Sequence, residues 1–75
     1  MKTAERLNHD QFDLLCRAAD VGGLATLEEL SDVLEGEANH LPRAEVAAKH
    51  LLQEGFLQRI GELYRITRAG KKSLR

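Results

Sequence analysis

The residues with the clearest chemical potential are basic side chains, and they are concentrated in the second half of the chain. Residues 1–40 contain three Lys or Arg against nine Asp or Glu, a net charge of −6, whereas residues 41–75 contain eight against three, a net charge of +5. This asymmetry favours contact between the second half and a polyanion, because clustered cations attract partners of opposite charge. The alternative is an ordinary solvated surface.

The other reactive residue types form no recognisable catalytic or metal-binding pattern in the sequence. His9, His40 and His50 are widely spaced and have no Cys pair beside them, so they lack the compact ligand spacing of a zinc site. Cys16 is the single cysteine, which fits a reducing cytosol, and its apolar neighbours predict a core position. No nucleophile is placed near a base, and no glycine-rich phosphate loop is present. We therefore expect no enzyme activity, no metal and no cofactor.

The length of the chain, 75 residues, predicts one domain, with residues 1–7 as a flexible polar lead. No apolar run approaches the roughly 18–20 residues that a membrane span needs, and the N-terminus is too polar for a signal peptide. We therefore expect a cytoplasmic protein with no membrane partner. A domain this small buries only about 60% of its unfolded surface, so a homodimer would gain stability. The sequence leaves the oligomeric state open.

Helix 1 is predicted from a clear N-terminal signal. Asn8 can cap the helix, and Gln11 three residues later completes a capping box. Apolar residues then recur at i, i+3, i+4 and i+7, which predicts that they form the buried face: Phe12, Leu15, Cys16 and Ala19. The pair Gly22-Gly23 is expected to end the helix.

Helix 2 is predicted from Leu27 to about Glu35, after a short strand at residues 24–25. Thr26 and Glu29 have the spacing of a second capping box. The expected inner face consists of Leu27, Leu30 and Leu34. Gly36 would end the helix and begin the connection to helix 3.

Helix 3, predicted over about residues 42–54, and a hairpin over residues 56–67 position four of the eight basic side chains of the second half. Pro42 suits the first helical position, and Gly55 suits the left-handed position after the helix. The inner stripe is expected to be Ala44, Ala48 and Leu51. Gly61-Glu62 separates two short strands, and Thr67 can cap a last helix over residues 68–74.

The segment HLLQEGFLQRIGELYRITRAGKKSL resembles the winged-helix domains of bacterial transcription regulators of the MarR and PadR types. The shared pattern is a leucine, charged residues, a glycine, two apolar residues, a turn, an aromatic-x-aliphatic-threonine run and a further glycine. These places are held by Leu51, Gly55, Phe56, Leu57, Tyr64, Ile66, Thr67 and Gly70. Together with the order of elements, the resemblance extends from Asn8 to about Leu74. It implies an α+β, mostly helical winged helix-turn-helix, with a three-helix core, a two-stranded wing and a short C-terminal helix.

The resemblance also implies sequence-dependent binding of double-stranded DNA by a small transcriptional regulator. Helix 3 would enter the major groove, and the wing would lie on the adjacent backbone or minor groove. The residues implied to face DNA are Arg43, Glu45, Val46, Lys49 and His50 of helix 3, with Arg59 and Arg65 of the wing.

Two features depart from the family pattern. The connection before helix 3 is longer than the three or four residues of a compact helix-turn-helix, and the wing turn contains an acid, Glu62. The alternative function is therefore a winged-helix protein-interaction module that does not bind DNA. In that case the acidic face of helices 1 and 2, or an apolar patch that includes Val46, would contact the partner protein.

Overall fold

A computed structural model describes residues 7–34 and 40–74 of the chain. This part of the chain forms an α+β fold with four helices and one three-stranded antiparallel sheet. The elements are α1 (His9–Val21), β1 (Ala25–Thr26), α2 (Leu27–Ser31), α3 (His40–Gln53), β2 (Leu57–Ile60), β3 (Leu63–Ile66) and α4 (Arg68–Ser73). Strand β3 lies in the middle of the sheet, between β1 and β2. Most of the predicted lead, Gly36 and most of the connection before α3 lie outside the described residues.

The predicted capping box starts α1, and the predicted glycine ends it. Asn8 Oδ1 accepts the backbone N–H of Gln11 at 2.8 Å, and Gln11 Oε1 accepts the backbone N–H of Asn8 at 3.0 Å. At the other end, Gly22 adopts φ 74°, a left-handed conformation that costs glycine little.

The predicted inner face of α1 is correct at Leu15, which is fully buried, and wrong at Phe12 and Cys16. The buried residues are Gln11, Leu14, Leu15 and Ala18, whereas Phe12 is 39% exposed and Cys16 is only partly buried. Leu14, Leu15 and Ala18 follow one another at i, i+1 and i+4, so the buried face is centred about one residue away from the predicted one. Gln11 tolerates burial because the capping box satisfies its side chain.

Helix α2 has the predicted start but is shorter than expected. Thr26 Oγ1 accepts the N–H of Glu29 at 3.1 Å, and Glu29 Oε1 accepts the N–H of Thr26 at 2.9 Å. The helix ends at Ser31 rather than near Glu35, because the chain tightens into i→i+3 bonds, including Leu34 N–H to Ser31 O at 3.0 Å. Leu34 is still buried in the core.

Helix α3 begins at His40, two residues before the predicted start, so Pro42 lies inside its first turn. A proline is tolerated there because the first N–H groups of a helix have no intrahelical acceptor. The buried stripe consists of Ala44, Ala47, Ala48 and Leu51. Its small side chains let α1 and α2 pack closely on α3.

The end of α3 leads directly into the sheet. The N–H of Phe56 bonds Leu51 O at 2.9 Å and the N–H of Gly55 bonds Leu52 O at 3.1 Å, with Gly55 at φ 80°. This is a Schellman ending. The hairpin that follows has the predicted two-residue turn, and each strand is one residue shorter than predicted.

The sheet and α4 complete the core. Strand β1 is one residue later than predicted, because Ala25 pairs with Tyr64 and faces inward while Leu24 is exposed. Thr67 caps α4 by accepting the N–H of Gly70 at 3.1 Å, and its hydroxyl donates to Gly55 O at 2.6 Å. The fully buried large side chains are Leu14, Leu15, Leu30 and Leu51.

Candidate nucleic-acid interface

The seven residues predicted to face DNA are divided among three surfaces. Glu45 and Lys49 lie on the flank of α3 that faces the hairpin, together with Arg59. The second group consists of Arg43, Val46 and His50. Arg43 and Val46 line a cleft with Asn8 and Asp10, at the start of α1, and His50 follows them along α3. Arg65 lies on the outer face of the sheet.

The first surface is a cleft between α3, the start of α2 and the hairpin, which we call the wing groove. It consists of two cavities of about 380 and 430 Å³ that share Leu27, Glu45, Arg59 and Tyr64. Their other charged residues differ: Lys49 lines the larger cavity, and Glu28 and Glu62 line the smaller one. The wing groove therefore has a basic end and an acidic end.

Arg59 is held in a defined position within the wing groove. Its Nε donates to the carbonyl oxygen of Gly61 at 2.8 Å. Its guanidinium carbon lies 5.8 Å from the centroid of the Tyr64 ring, within the range of a cation–π contact. These two contacts hold the guanidinium near the Tyr64 ring and leave its terminal nitrogens for other partners.

Tyr64 contributes to this cleft, whereas the resemblance named it only as the aromatic residue of the hairpin pattern. It pairs with Arg59 across the hairpin, and opposite residues share one face of a sheet. The residue is only 9% exposed, and its hydroxyl forms no hydrogen bond within residues 7–34 and 40–74. The hydroxyl is open to solvent, because no buried side-chain oxygen or nitrogen of these residues lacks a partner. A tyrosine in place of phenylalanine at an inward position is the signal that could have indicated a polar role.

Arg43 is engaged by α1. Its Nε and Nη2 donate to the two carboxylate oxygens of Asp10, at 2.9 and 2.7 Å. This hydrogen-bonded pair holds the pKa of Asp10 below its ordinary value and raises the pKa of Arg43. Sequence reasoning missed the pair because Asp10 lies 33 residues away. Opposite charges in the first turns of two predicted helices were the available signal.

Val46 is the most exposed large apolar residue of the described chain, at 70%. It borders a cleft of about 370 Å³, the Val46 groove, lined by Asn8, Asp10, Pro42, Arg43, Val46 and Ala47. His50 lies farther along the helix, where its Nε2 is 3.8 Å from a carboxylate oxygen of Glu54.

Arg65 is separated from Arg59 by the pleat of the sheet. Its Nε donates to Gln58 Oε1 at 3.0 Å, and Gln58 is its partner across the hairpin. Tyr64 and Ile66, its neighbours along β3, are buried on the core side. Since side chains alternate along a strand, Arg65 points away from the wing groove.

Comparison with known proteins gives no match: no protein-family model, curated protein or solved structure is significantly similar to this chain. Among residues 7–34 and 40–74, no group of three His, Cys, Asp or Glu side chains is arranged to hold a metal ion. In the same residues, no helix has the length and apolar character needed to cross a membrane.

Proposed function

We propose that this chain is a winged-helix protein that binds double-stranded DNA as a small transcriptional regulator, with α3 in the major groove. The observation that supports this most directly is the position of α3. It packs on the domain through one stripe of alanine and leucine, and its opposite face, including Val46, Lys49 and Gln53, is exposed. Lys49 lies on the flank of this face that borders the hairpin. A helix that projects in this way can enter a major groove while the hairpin contacts the backbone.

The distribution of charge around α3 sets the expected strength of binding. Lys49 and Arg59 face the same groove, and each neutralised phosphate contributes about −0.9 to the slope of log affinity against log salt concentration. Two contacts therefore predict a slope of about −2. Glu28 and Glu62 lie nearby and repel phosphate, so we expect weak binding that is detectable mainly at low salt.

The test is a fluorescence-anisotropy titration of a mixed-sequence duplex, begun at about 50 mM salt and repeated at higher concentrations. We expect Arg59→Ala to weaken binding and to make the slope shallower by about 0.9. Arg65→Ala is the matched control, because it removes the same charge from the outer face of the hairpin. Absence of binding to any duplex at micromolar protein would refute the proposal.

A second candidate function is protein docking without DNA binding, and the Val46 groove favours it. An apolar side chain that is 70% exposed beside a cleft suits an apolar partner surface. A second copy of the chain is the occupant we consider, because a domain of this size gains stability from additional burial. Sedimentation over a concentration series tests this: self-association that Val46→Ser abolishes supports docking, and a monomer at every concentration contradicts it.

A further inference from the structure

We propose that the wing groove binds one phosphate of the DNA backbone through three donors: the Tyr64 hydroxyl, the Arg59 guanidinium and the Lys49 ammonium group. This inference rests on the proposed DNA-binding function. It assigns Tyr64 a direct binding role and predicts where on the protein one strand of the duplex lies.

The Tyr64 hydroxyl is the first reason for this assignment. A tyrosine combines an apolar ring that can be buried with a hydroxyl that can donate a hydrogen bond where it reaches solvent. Tyr64 borders both cavities of the wing groove, and its hydroxyl has no hydrogen-bond partner in the described part of the chain. Because no buried side-chain oxygen or nitrogen of the described residues lacks a partner, this hydroxyl is open to solvent although the residue is only 9% exposed. The hydroxyl is therefore available to donate to a phosphate oxygen that enters the groove.

Arg59 is the second reason. Its Nε bond to Gly61 O and its contact with the Tyr64 ring hold the guanidinium over the groove before any ligand binds. Within residues 7–34 and 40–74, its terminal nitrogens have no hydrogen-bond acceptor. A planar pair of N–H donors matches two phosphate oxygens, and a guanidinium already held in place loses little side-chain entropy on binding.

The charges around the groove decide which end the phosphate occupies. Glu28 and Glu62 line the smaller cavity, whereas the larger cavity has Lys49 in their place. Glu45 lines both. A phosphate therefore lies at the Lys49 end, where Arg59 and Lys49 outnumber the single carboxylate. That cavity, about 430 Å³, has room for a phosphate group and its bound water.

The decisive variant is Tyr64→Phe, which keeps the ring in the core and removes only the hydroxyl. A hydrogen bond to a charged group contributes enough that we expect duplex binding to weaken by about tenfold or more. The salt slope should stay the same because no charge is lost, whereas Arg59→Ala should reduce both affinity and slope. A melting temperature equal to that of the wild type shows that Tyr64→Phe has not altered the fold.

A second measurement locates the phosphate on the DNA. On a duplex selected from a random pool, single backbone phosphates are replaced in turn by neutral methylphosphonates. We expect one position at which the replacement weakens binding by the wild type but has a much smaller effect on Tyr64→Phe. Such a coupling identifies the phosphate that the hydroxyl contacts.

The outcomes separate this inference from the proposed function. If the wild type binds no duplex, both fail. If the wild type binds and Tyr64→Phe binds equally well, only the phosphate site is refuted. If no duplex binds but a lysine-rich peptide does, and Tyr64→Phe weakens that complex, the groove is a site for a basic protein partner and the phosphate assignment is wrong.

Discussion

Replacing Gly70 with alanine should destabilise the domain, although alanine is the better helix former. Gly70 lies in α4, where alanine would gain about 1 kcal/mol from helix propensity. A Cβ atom at this position, however, would overlap the carbonyl oxygen of Phe56 and lie 2.7 Å from Cγ1 of Ile66. The Phe56 oxygen accepts the backbone N–H of Thr67 at 3.0 Å, so it cannot move away without weakening that bond.

The two effects can be compared in size. Overpacking typically costs about 1–3 kcal/mol, and an overlap with backbone belongs at the upper end of that range. After the gain in helix propensity, a net loss of about 2 kcal/mol remains. In a domain of this size that loss lowers the melting temperature by about 8–16 °C, since each kcal/mol corresponds to about 4–8 °C.

Thermal and urea unfolding followed by circular dichroism measure this loss. Gly23→Ala is the control, because a Cβ at Gly23 would meet no atom within 4 Å and its φ is not positive. That change should be neutral or stabilising by up to about 1 kcal/mol, through a less flexible unfolded chain. A Gly70→Ala protein as stable as the wild type would refute the close approach of α4 to Phe56.

Three further predictions concern the pair between α1 and α3, the cysteine and the cap of α4. Because Arg43 lowers the pKa of Asp10, the pair stabilises the fold fully above the ordinary Asp pKa of 3.8, and this contribution is lost as the pH falls through the lowered folded value. The wild type should therefore lose more of its urea midpoint on acidification than Asp10→Asn; equal losses would contradict the pairing. Burial raises the pKa of the Cys16 thiol, so alkylation by iodoacetamide at mildly alkaline pH should be slower in the native protein than in urea, and equal rates would disprove this. Thr67→Val removes both hydroxyl hydrogen bonds at the start of α4 and should lower the free energy of unfolding in urea by about 1–2 kcal/mol. An unchanged free energy of unfolding would show that the cap does not stabilise the fold.

The starts of α1, α2 and α4 and the glycine endings of α1 and α3 were predictable because they depend on residues close together in the chain, whereas the end of α2 and the start of α3 were not. Both capping boxes join residues three apart, and Gly22, Gly55 and Gly61 adopt the positive φ that a helix end or a tight turn needs. The buried face of α1 was not predictable to the residue. Which side of a helix is buried depends on the helices packed against it, and those contacts join residues far apart in sequence.

The candidate site was predictable in composition but not in arrangement. Because side chains alternate along a strand, the sequence alone indicates that Arg65 and Tyr64 lie on opposite faces of the second strand. Placing Arg59 on the same side of the hairpin as Tyr64 requires the register of the two strands. Predicting that Arg43 pairs with Asp10 requires the contact between α1 and the start of α3. The Tyr64 hydroxyl was missed because an inward aromatic residue is normally attributed to the core alone.

Because side chains alternate along β2, the place of a residue in the strand decides which face of the hairpin carries its charge, whatever the net charge of the chain. Exchanging Gln58 and Arg59 leaves the composition, the net charge and the pI of the chain unchanged, yet it moves one guanidinium to the opposite face of the hairpin. By the same rule, a single residue inserted between Leu57 and Arg59 would reverse the direction of Arg59, whereas two inserted residues would restore it. A hairpin of different length therefore retains the same contact, provided that its strands grow by even numbers of residues.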